Sequence, residues 1–128
     1  MDRNQKIKIA INGAGRIGRA FYKLSQSFKE IEIVAINDLA DIENIAYLMK
    51  FDSAYGKSGF GVEVTPDKKT LLIAGKRVSY LSEKDPSLLP WGELDVDIVI
   101  ESTGFFTSYE KASAHIKAGA KRVVISAP

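Results

Sequence analysis

The sequence predicts an α/β fold, a doubly wound parallel sheet with a small antiparallel excursion. Three observations carry that prediction. Short apolar segments alternate with amphipathic ones in the order strand, helix, strand, helix over the first 50 residues. The first apolar segment stops at Gly13-Ala14-Gly15-Arg16-Ile17-Gly18, three glycines placed where a strand must turn sharply into a helix. The strand segments are nearly continuous in apolar character, as in a sheet covered on both faces.

Each element has its own justification. Ile7–Asn12 reads as the first strand. After the glycine turn a helix runs to about Phe28, with Ile17, Ala20, Phe21, Leu24 and Phe28 as its expected buried stripe. Residues 31–36 are rich in β-branched side chains and form the second strand, ended by Asn37 and Asp38. Asp41 can cap a helix to about Lys50, with Ile42, Ile45, Ala46 and Met49 inward. Asp52, Ser53, Gly56, Gly59 and Gly61 make residues 51–61 a loop. Residues 60–65, 70–74 and 77–80 are short extended segments, separated by turns at Pro66-Asp67-Lys68-Lys69 and Gly75-Lys76. They predict the antiparallel excursion. A short helical turn at 85–91 should bury Leu88 and Trp91. Residues 96–101 are another core strand, and Thr107 with Glu110 makes a capping box for a helix to Ala118, stopped by Gly119. Residues 122–126 are the last strand. A sheet ending there, with no covering helix, predicts a partial domain truncated before its last strand.

Composition excludes several functions. The length suits one domain, 1–128. The net charge of +2 and the scattered basic residues argue against a nucleic-acid surface. Cysteine is absent, which removes disulfides, thiolate chemistry and cysteine-bound metals from these residues. No apolar run reaches membrane-spanning length, and Gly13 interrupts any secretory core, so a cytoplasmic protein is expected.

The glycine turn carries the functional reading. Gly13 allows the tight turn, Gly15 lets a pyrophosphate approach the backbone, and Gly18 lets the helix pack closely on the sheet. Amides of the first helical turn, at Arg16 and Ile17, then point at the diphosphate. The pattern is that of a Rossmann-type dinucleotide site. Asp38 lies twenty residues beyond Gly18 at the end of the next strand. A carboxylate there accepts the adenosine ribose hydroxyls and repels a 2′-phosphate, which favours NAD over NADP. A turn-forming aspartate is the plainer reading of the same residue. Ser102, Thr103 and Gly104 end a strand across the switch point and are candidate cofactor contacts, or simply a polar strand exit. Ser126 ends the next strand at the same edge. His115 is the single histidine, placed inside a helix with no nucleophile at a telling spacing, and reads as a core-edge or solvated residue. Asp95 and Asp97 read as solvated. No metal-ligand spacing and no catalytic group is visible.

The pieces Ile11-Asn12-Gly13-Ala14-Gly15-Arg16-Ile17-Gly18-Arg19, Ala35-Ile36-Asn37-Asp38 and Phe51-Asp52-Ser53-Ala54-Tyr55-Gly56 occur in that order. They are followed by Asp85-Pro86, Leu89-Pro90-Trp91, Glu101-Ser102-Thr103-Gly104-Phe105-Phe106-Thr107 and residues 119–128. Together they resemble the N-terminal cofactor-binding part of the phosphorylating glyceraldehyde-3-phosphate dehydrogenases. The resemblance implies Asn12, Gly13, Arg16 and Ile17 along the pyrophosphate turn and Asp38 on the adenosine ribose with Asn37 beside it. It implies Arg77 toward the adenine, Ser102, Thr103 and Gly104 lining the groove, and Phe105 flanking it. It also implies a glycolytic homotetramer that oxidises an aldehyde through a cysteine thioester, with a histidine assisting hydride transfer to NAD and phosphate releasing the product. The cysteine and histidine of that chemistry fall after Pro128 in the family, so the 128 residues are expected to bind NAD without oxidising an aldehyde. Exposed apolar surface, with poor solubility or compensating oligomerisation, is expected as well. Ala14 stands where phenylalanine is common, which predicts looser packing there. Two rivals stay open: an erythrose-4-phosphate dehydrogenase, whose members often carry Glu at the position of Asp38, and a non-catalytic nucleotide-binding module.

Overall fold

β1 (Ile7–Asn12) runs near the middle of a mixed sheet, flanked by β2 (Ile31–Asn37) and β6 (Ile98–Glu101), both parallel to it. The computed structural model describes residues 5–54, 61–104 and 109–126. Among these, the sheet has seven strands in the order β3-β4-β5-β2-β1-β6-β7, where β3 is Val62–Val64, β4 Thr70–Ile73, β5 Lys76–Leu81 and β7 Arg122–Ile125. The five strands from β5 to β7 are parallel, and β3 and β4 add antiparallel pairings at the β5 edge. The antiparallel excursion expected from the sequence is therefore part of the main sheet, with β5 as its third parallel core strand. The chain reverses its direction of winding between β1 and β6. Such a sheet leaves a crevice there, at the carboxyl ends of the strands.

Two apolar layers hold the helices on the two faces. On one face, Ile9, Ile11, Ile33, Ile36 and Tyr80 pack against Tyr22 of α1 (Arg16–Ser25) and against Ile42, Ile45, Ala46 and Met49 of α2 (Ile42–Ala54). On the other, Ala10, Ala35 and Val99 pack against Leu89, Trp91, Val96 and Ala120, beside α3 (Tyr109–Lys117). Ile9 pairs with Ile33 but Ala10 pairs with Ala35, so Val34 is an extra residue in β2. That bulge puts Ile33 and Ile36 on the same face despite their odd spacing.

The buried face of α2 is the one read from the sequence, and Asp41 caps it by accepting the Glu43 amide at 2.9 Å. The helix is longer than expected. It continues through Phe51 and Asp52, which the sequence placed in a loop, because nothing in Lys50-Phe51-Asp52-Ser53 breaks a helix before the glycines. The α1 stripe is a clearer correction. α1 stops at Ser25, and its buried residues are Gly18, Tyr22 and Ser25; of the expected stripe Phe21 packs half-buried against the core, whereas Ile17, Ala20, Leu24 and Phe28 are exposed. Close approach of the helix to β1 is set by Gly18, so the inward face is the one running i, i+4, i+7 from that glycine. Val124 and Ile125 of β7 are exposed too, in line with the expected apolar surface. Pro86–Leu88 form one 3-10 turn capped by Asp85, and it turns Leu88 outward and leaves Pro86 and Leu89 buried with Trp91. The loop glycines 56 and 59, the Thr107 cap, the Glu110 side chain and residues 127–128 lie outside the described residues.

Asp97 is not a solvated bystander. Its Oδ2 accepts the Lys8 amide at 2.8 Å and its Oδ1 accepts Lys121 Nζ at 3.0 Å, tying the amino ends of β1, β6 and β7 together. The Lys8 amide is the main reason its carboxyl is held below the usual aspartate range. Among the described residues, no helix is long and apolar enough to cross a membrane.

Candidate functional site

The glycine turn sits over the crevice between β1 and β6. Gly13 has φ +103, a backbone conformation that L side chains rarely adopt, and its amide donates to the Asn37 carbonyl at 2.8 Å. A Cβ on Gly18 would lie 2.0 Å from the Gly13 carbonyl oxygen, so α1 meets the turn closely enough that only glycine fits. Gly15 is the residue before the helix and is exposed, and a Cβ there would meet nothing within 4 Å. The turn is thus closed underneath and open above. The first amides of α1 have no carbonyl four residues back within the helix, and the helix dipole adds partial positive charge at the same place. No acidic side chain stands in the first turn to compete for it.

Asp38 is aimed at this turn. Its Oδ2 accepts the Ala14 amide at 2.7 Å and its Oδ1 accepts the Ala40 amide at 2.9 Å. Each carboxylate oxygen keeps further lone pairs, and the residue remains partly exposed. The turn-forming role weighed for this aspartate therefore coexists with a carboxylate presented beside the glycines. Arg19 braces the other side: Nε donates to the Ala14 carbonyl at 3.2 Å, and Nη1 reaches both oxygens of Asp52 at 2.9 and 3.1 Å. Ala14 itself is buried in the core beneath.

Beneath the crevice lies a polar network that sequence reasoning missed. Glu101, at the end of β6, is 1% exposed and accepts from Asn12 Nδ2 at 2.7 Å, from the Thr103 amide at 3.1 Å and from Thr103 Oγ1 at 2.8 Å. His115 Nε2 lies 2.8 Å from the same carboxylate, and Trp91 Nε1 donates to His115 Nδ1 at 2.9 Å. An indole N–H only donates, so Nδ1 is an acceptor and the imidazole proton sits on Nε2, facing Glu101. Burial works against charge on Glu101, but the hydrogen bonds from His115, Asn12 and Thr103 outweigh it and hold the carboxyl below its usual range. Asn12 passes the polarity on. With its amide nitrogen on Glu101, its oxygen accepts Asn37 Nδ2 at 2.7 Å, and Asn37 in turn clasps the Glu83 backbone, giving 2.9 Å to its carbonyl and taking 2.8 Å from its amide.

The structure sorts the sequence-chosen residues by place. Gly13, Gly15, Arg16, Ile17 and Gly18 form the turn and first helical residues, with Asp38 against them. Ser102 faces the turn from across the switch point, its Oγ donating to the Gly13 carbonyl at 2.8 Å, and Thr103 and Gly104 follow at the same edge. Asn12 and Asn37 are buried, and their side chains are engaged with one another and with Glu101 and Glu83, so they support the crevice from below rather than line it. Arg77 is not brought to the crevice. It lies near the start of β5, at the level of Leu72, four residues before the Leu81 that pairs with Asn37. At about 3.3 Å per residue that is ~13 Å from the carboxyl edge. Arg77 instead lines a cavity of about 590 Å³ with Lys6, Tyr22, Phe28, Glu32 and Lys76 at the other end of the sheet. Phe105 lies outside the described residues. His115 is fully buried, which corrects the solvated reading, and both its ring nitrogens are engaged, so it is not a free general base. Among the described residues no cluster of three or more His, Asp or Glu could hold a metal. The arrangement can cradle a diphosphate and accept from a ribose.

The family model described as "Glyceraldehyde 3-phosphate dehydrogenase, NAD binding domain" matches residues 7–109. The chain is 52% identical to the glyceraldehyde-3-phosphate dehydrogenase of Mycoplasma pneumoniae over 126 residues, covering 98% of this chain and 37% of that protein. It is 50% identical over 123 residues to the enzyme of the same name from Thermotoga maritima, and 47% identical over 122 residues to that from Geobacillus stearothermophilus. These cover 94% and 95% of this chain and 36% of each relative. The chain spans a little over a third of the length of these curated relatives.

Proposed function

Because the chain belongs to the glyceraldehyde-3-phosphate dehydrogenase family, through its NAD-binding domain, we propose that it holds NAD in the β1–β6 crevice for a phosphorylating aldehyde oxidation. One observation carries the placement: a glycine turn open above, at a helix N-terminus, with the Asp38 carboxylate bonded to its Ala14 amide. The residues fit the cofactor. Gly15 and the first α1 amides would take the pyrophosphate, Asp38 the adenosine ribose, and Ser102 to Gly104 the wall on the far side of the switch point. Bound NAD supplies the hydride acceptor, and these residues supply its binding and orientation. The 128 residues contain no cysteine, so they do not themselves carry a covalent thioester step. In this reading the whole enzyme converts glyceraldehyde 3-phosphate, phosphate and NAD to 1,3-bisphosphoglycerate and NADH, acts as a cytoplasmic homotetramer, and contributes residues 1–128 as the cofactor-binding part.

Calorimetry with NAD, NADP and ADP-ribose tests the site. NAD and ADP-ribose should both bind, since the contacts assigned are to the shared half of the molecule. NADP should bind at least tenfold more weakly, because Asp38 places a negative charge against the 2′-phosphate. Equal affinity for NADP would remove Asp38 from the ribose, and no heat with either NAD or ADP-ribose would remove the crevice.

A further inference from the structure

The Trp91–His115–Glu101 chain is more elaborate than packing requires. Apolar residues of similar volume fill such space without a buried charge, which is costly to desolvate. Here a carboxylate is kept in the core by donors from β1, from α3 and from the loop that follows its own strand. Its orientation fixes everything downstream. The Trp91 indole forces Nδ1 of His115 to accept, which puts the Nε2 proton on Glu101. Glu101 then takes the Asn12 amide nitrogen, which turns the Asn12 oxygen toward Asn37 and sets which way Asn37 clasps Glu83. The other Glu101 oxygen holds both the amide and the hydroxyl of Thr103. A side chain on one end of the network, buried under the sheet, thereby fixes the carboxyl edges of β1, β2 and β6 and the loop after β5 relative to one another.

We propose that Trp91 and His115 are positioning residues for the nucleotide, acting through Glu101 on Thr103 and on the Asn12–Asn37 pair that carries the glycine turn. This rests on the NAD-binding reading of the crevice. It goes beyond that reading in assigning a binding role to two residues that do not line the site. The path is short: the Gly13 amide donates to the Asn37 carbonyl, and a Cβ on Gly13 would stand 2.9 Å from Thr103. Thr103 therefore lies directly against the turn.

Three variants of the full chain test it, each followed by NAD calorimetry and by amide hydrogen exchange at Thr103 and Ala14 without nucleotide. Trp91→Phe keeps an aromatic ring in the core and removes the indole donor, together with the volume of the second ring. His115→Leu removes both ring nitrogens. His115→Gln retains one donor and one acceptor on a short side chain. The first two should weaken NAD about tenfold and speed exchange at Thr103 and Ala14 while strand-centre amides keep their protection. The glutamine variant should recover affinity to within about threefold of the parent, a rescue that simple loss of core packing would not give. Unchanged NAD affinity and unchanged Thr103 exchange in folded Trp91→Phe overturn the proposal, and that variant decides alone if His115→Leu does not fold. Should the parent bind no NAD, the crevice reading fails by itself. The exchange pattern then still decides whether the network positions Thr103 and the turn.

Discussion

Alanine at Gly18 and at Gly15 should have opposite effects, and the contrast follows from their different surroundings. At Gly18 the added Cβ would stand 2.0 Å from the Gly13 carbonyl oxygen, 2.9 Å from Ser102 Oγ and 3.1 Å from Ile11 Cγ2. A carbon–oxygen contact relaxes only near 3.3 Å, so α1 and the turn must separate by ~1 Å. The obstruction is backbone, which cannot swing aside as a long side chain would. Overpacking of this kind costs about 1–3 kcal/mol. Moving the Gly13 carbonyl also weakens its 2.8 Å bond from Ser102 Oγ, worth about 1 kcal/mol. The better helix propensity of alanine returns about 1 kcal/mol, leaving a net loss of about 1–3 kcal/mol. At Gly15 the added Cβ meets nothing, and φ −76 with ψ −164 suits any residue, so stability should stay within about 0.5 kcal/mol. That methyl group would instead occupy the open side where the pyrophosphate is assigned, and NAD binding should fall by tenfold or more. Urea unfolding and NAD calorimetry on the two variants separate the effects. A Gly18→Ala chain as stable as the parent would refute the packing argument. A Gly15→Ala chain that binds NAD as the parent does would show that the diphosphate does not pass over that residue.

Two further predictions concern the ties around the sheet. The Asp97 carboxyl is held below its usual range chiefly by the Lys8 amide, so the folded value lies below the unfolded one. Its stabilisation is therefore complete above the ordinary carboxylate range and is lost as pH falls through the folded value. Asp97→Asn should flatten the fall in urea midpoint between pH 5 and about pH 3, and an unaltered acid profile would show that Asp97 is not among the groups responsible. Arg19 and Asp52 should be coupled. Their side chains are 16% and 33% exposed, so solvent screens the pair in part, and a double-mutant cycle with Arg19→Met and Asp52→Asn should return about 1 kcal/mol. Strict additivity would mean that the fork over Ala14 is incidental.

How much of this was legible depended on whether the signal was local. The α2 face was readable because Ile42, Ile45, Ala46 and Met49 repeat at helical spacing and the apolar layer beneath accepts them as they stand. The same rule failed on α1 because its packing is governed by approach distance. A helix seated on Gly18 turns the Gly18–Tyr22–Ser25 face inward, and Ile17 and Leu24 face outward. Periodicity identifies an apolar stripe but not the surface that stripe covers. The glycine turn and Asp38 were legible for the opposite reason, since each is a short motif with its own geometric requirement. Arg77 shows the limit of carrying a role by resemblance. It sits near the amino end of β5, and on a parallel sheet the carboxyl ends face the crevice.

The buried network was the least legible part, and the cause is physical. Asn12 and Glu101 are 89 residues apart, Asn37 and Glu83 are 46 apart, and Trp91 and His115 are 24 apart, so no spacing in the chain announces any of these pairs. A polar residue at a strand end also has an ordinary local explanation, as solvent-facing punctuation. The discriminating signal is placement of several such residues at the same level of adjacent strands. Asn12 pairs with Asn37 on one side and with Glu101 on the other, which puts three polar side chains in one row across β2, β1 and β6. Once the strand order and register are known, that row cannot be solvated without opening the sheet, and every member must find a partner inside. The need is met: among the described residues, no buried side-chain nitrogen or oxygen is left without a hydrogen bond. The residues beneath a binding crevice thus become readable at the stage of register, one step after the motifs that line it.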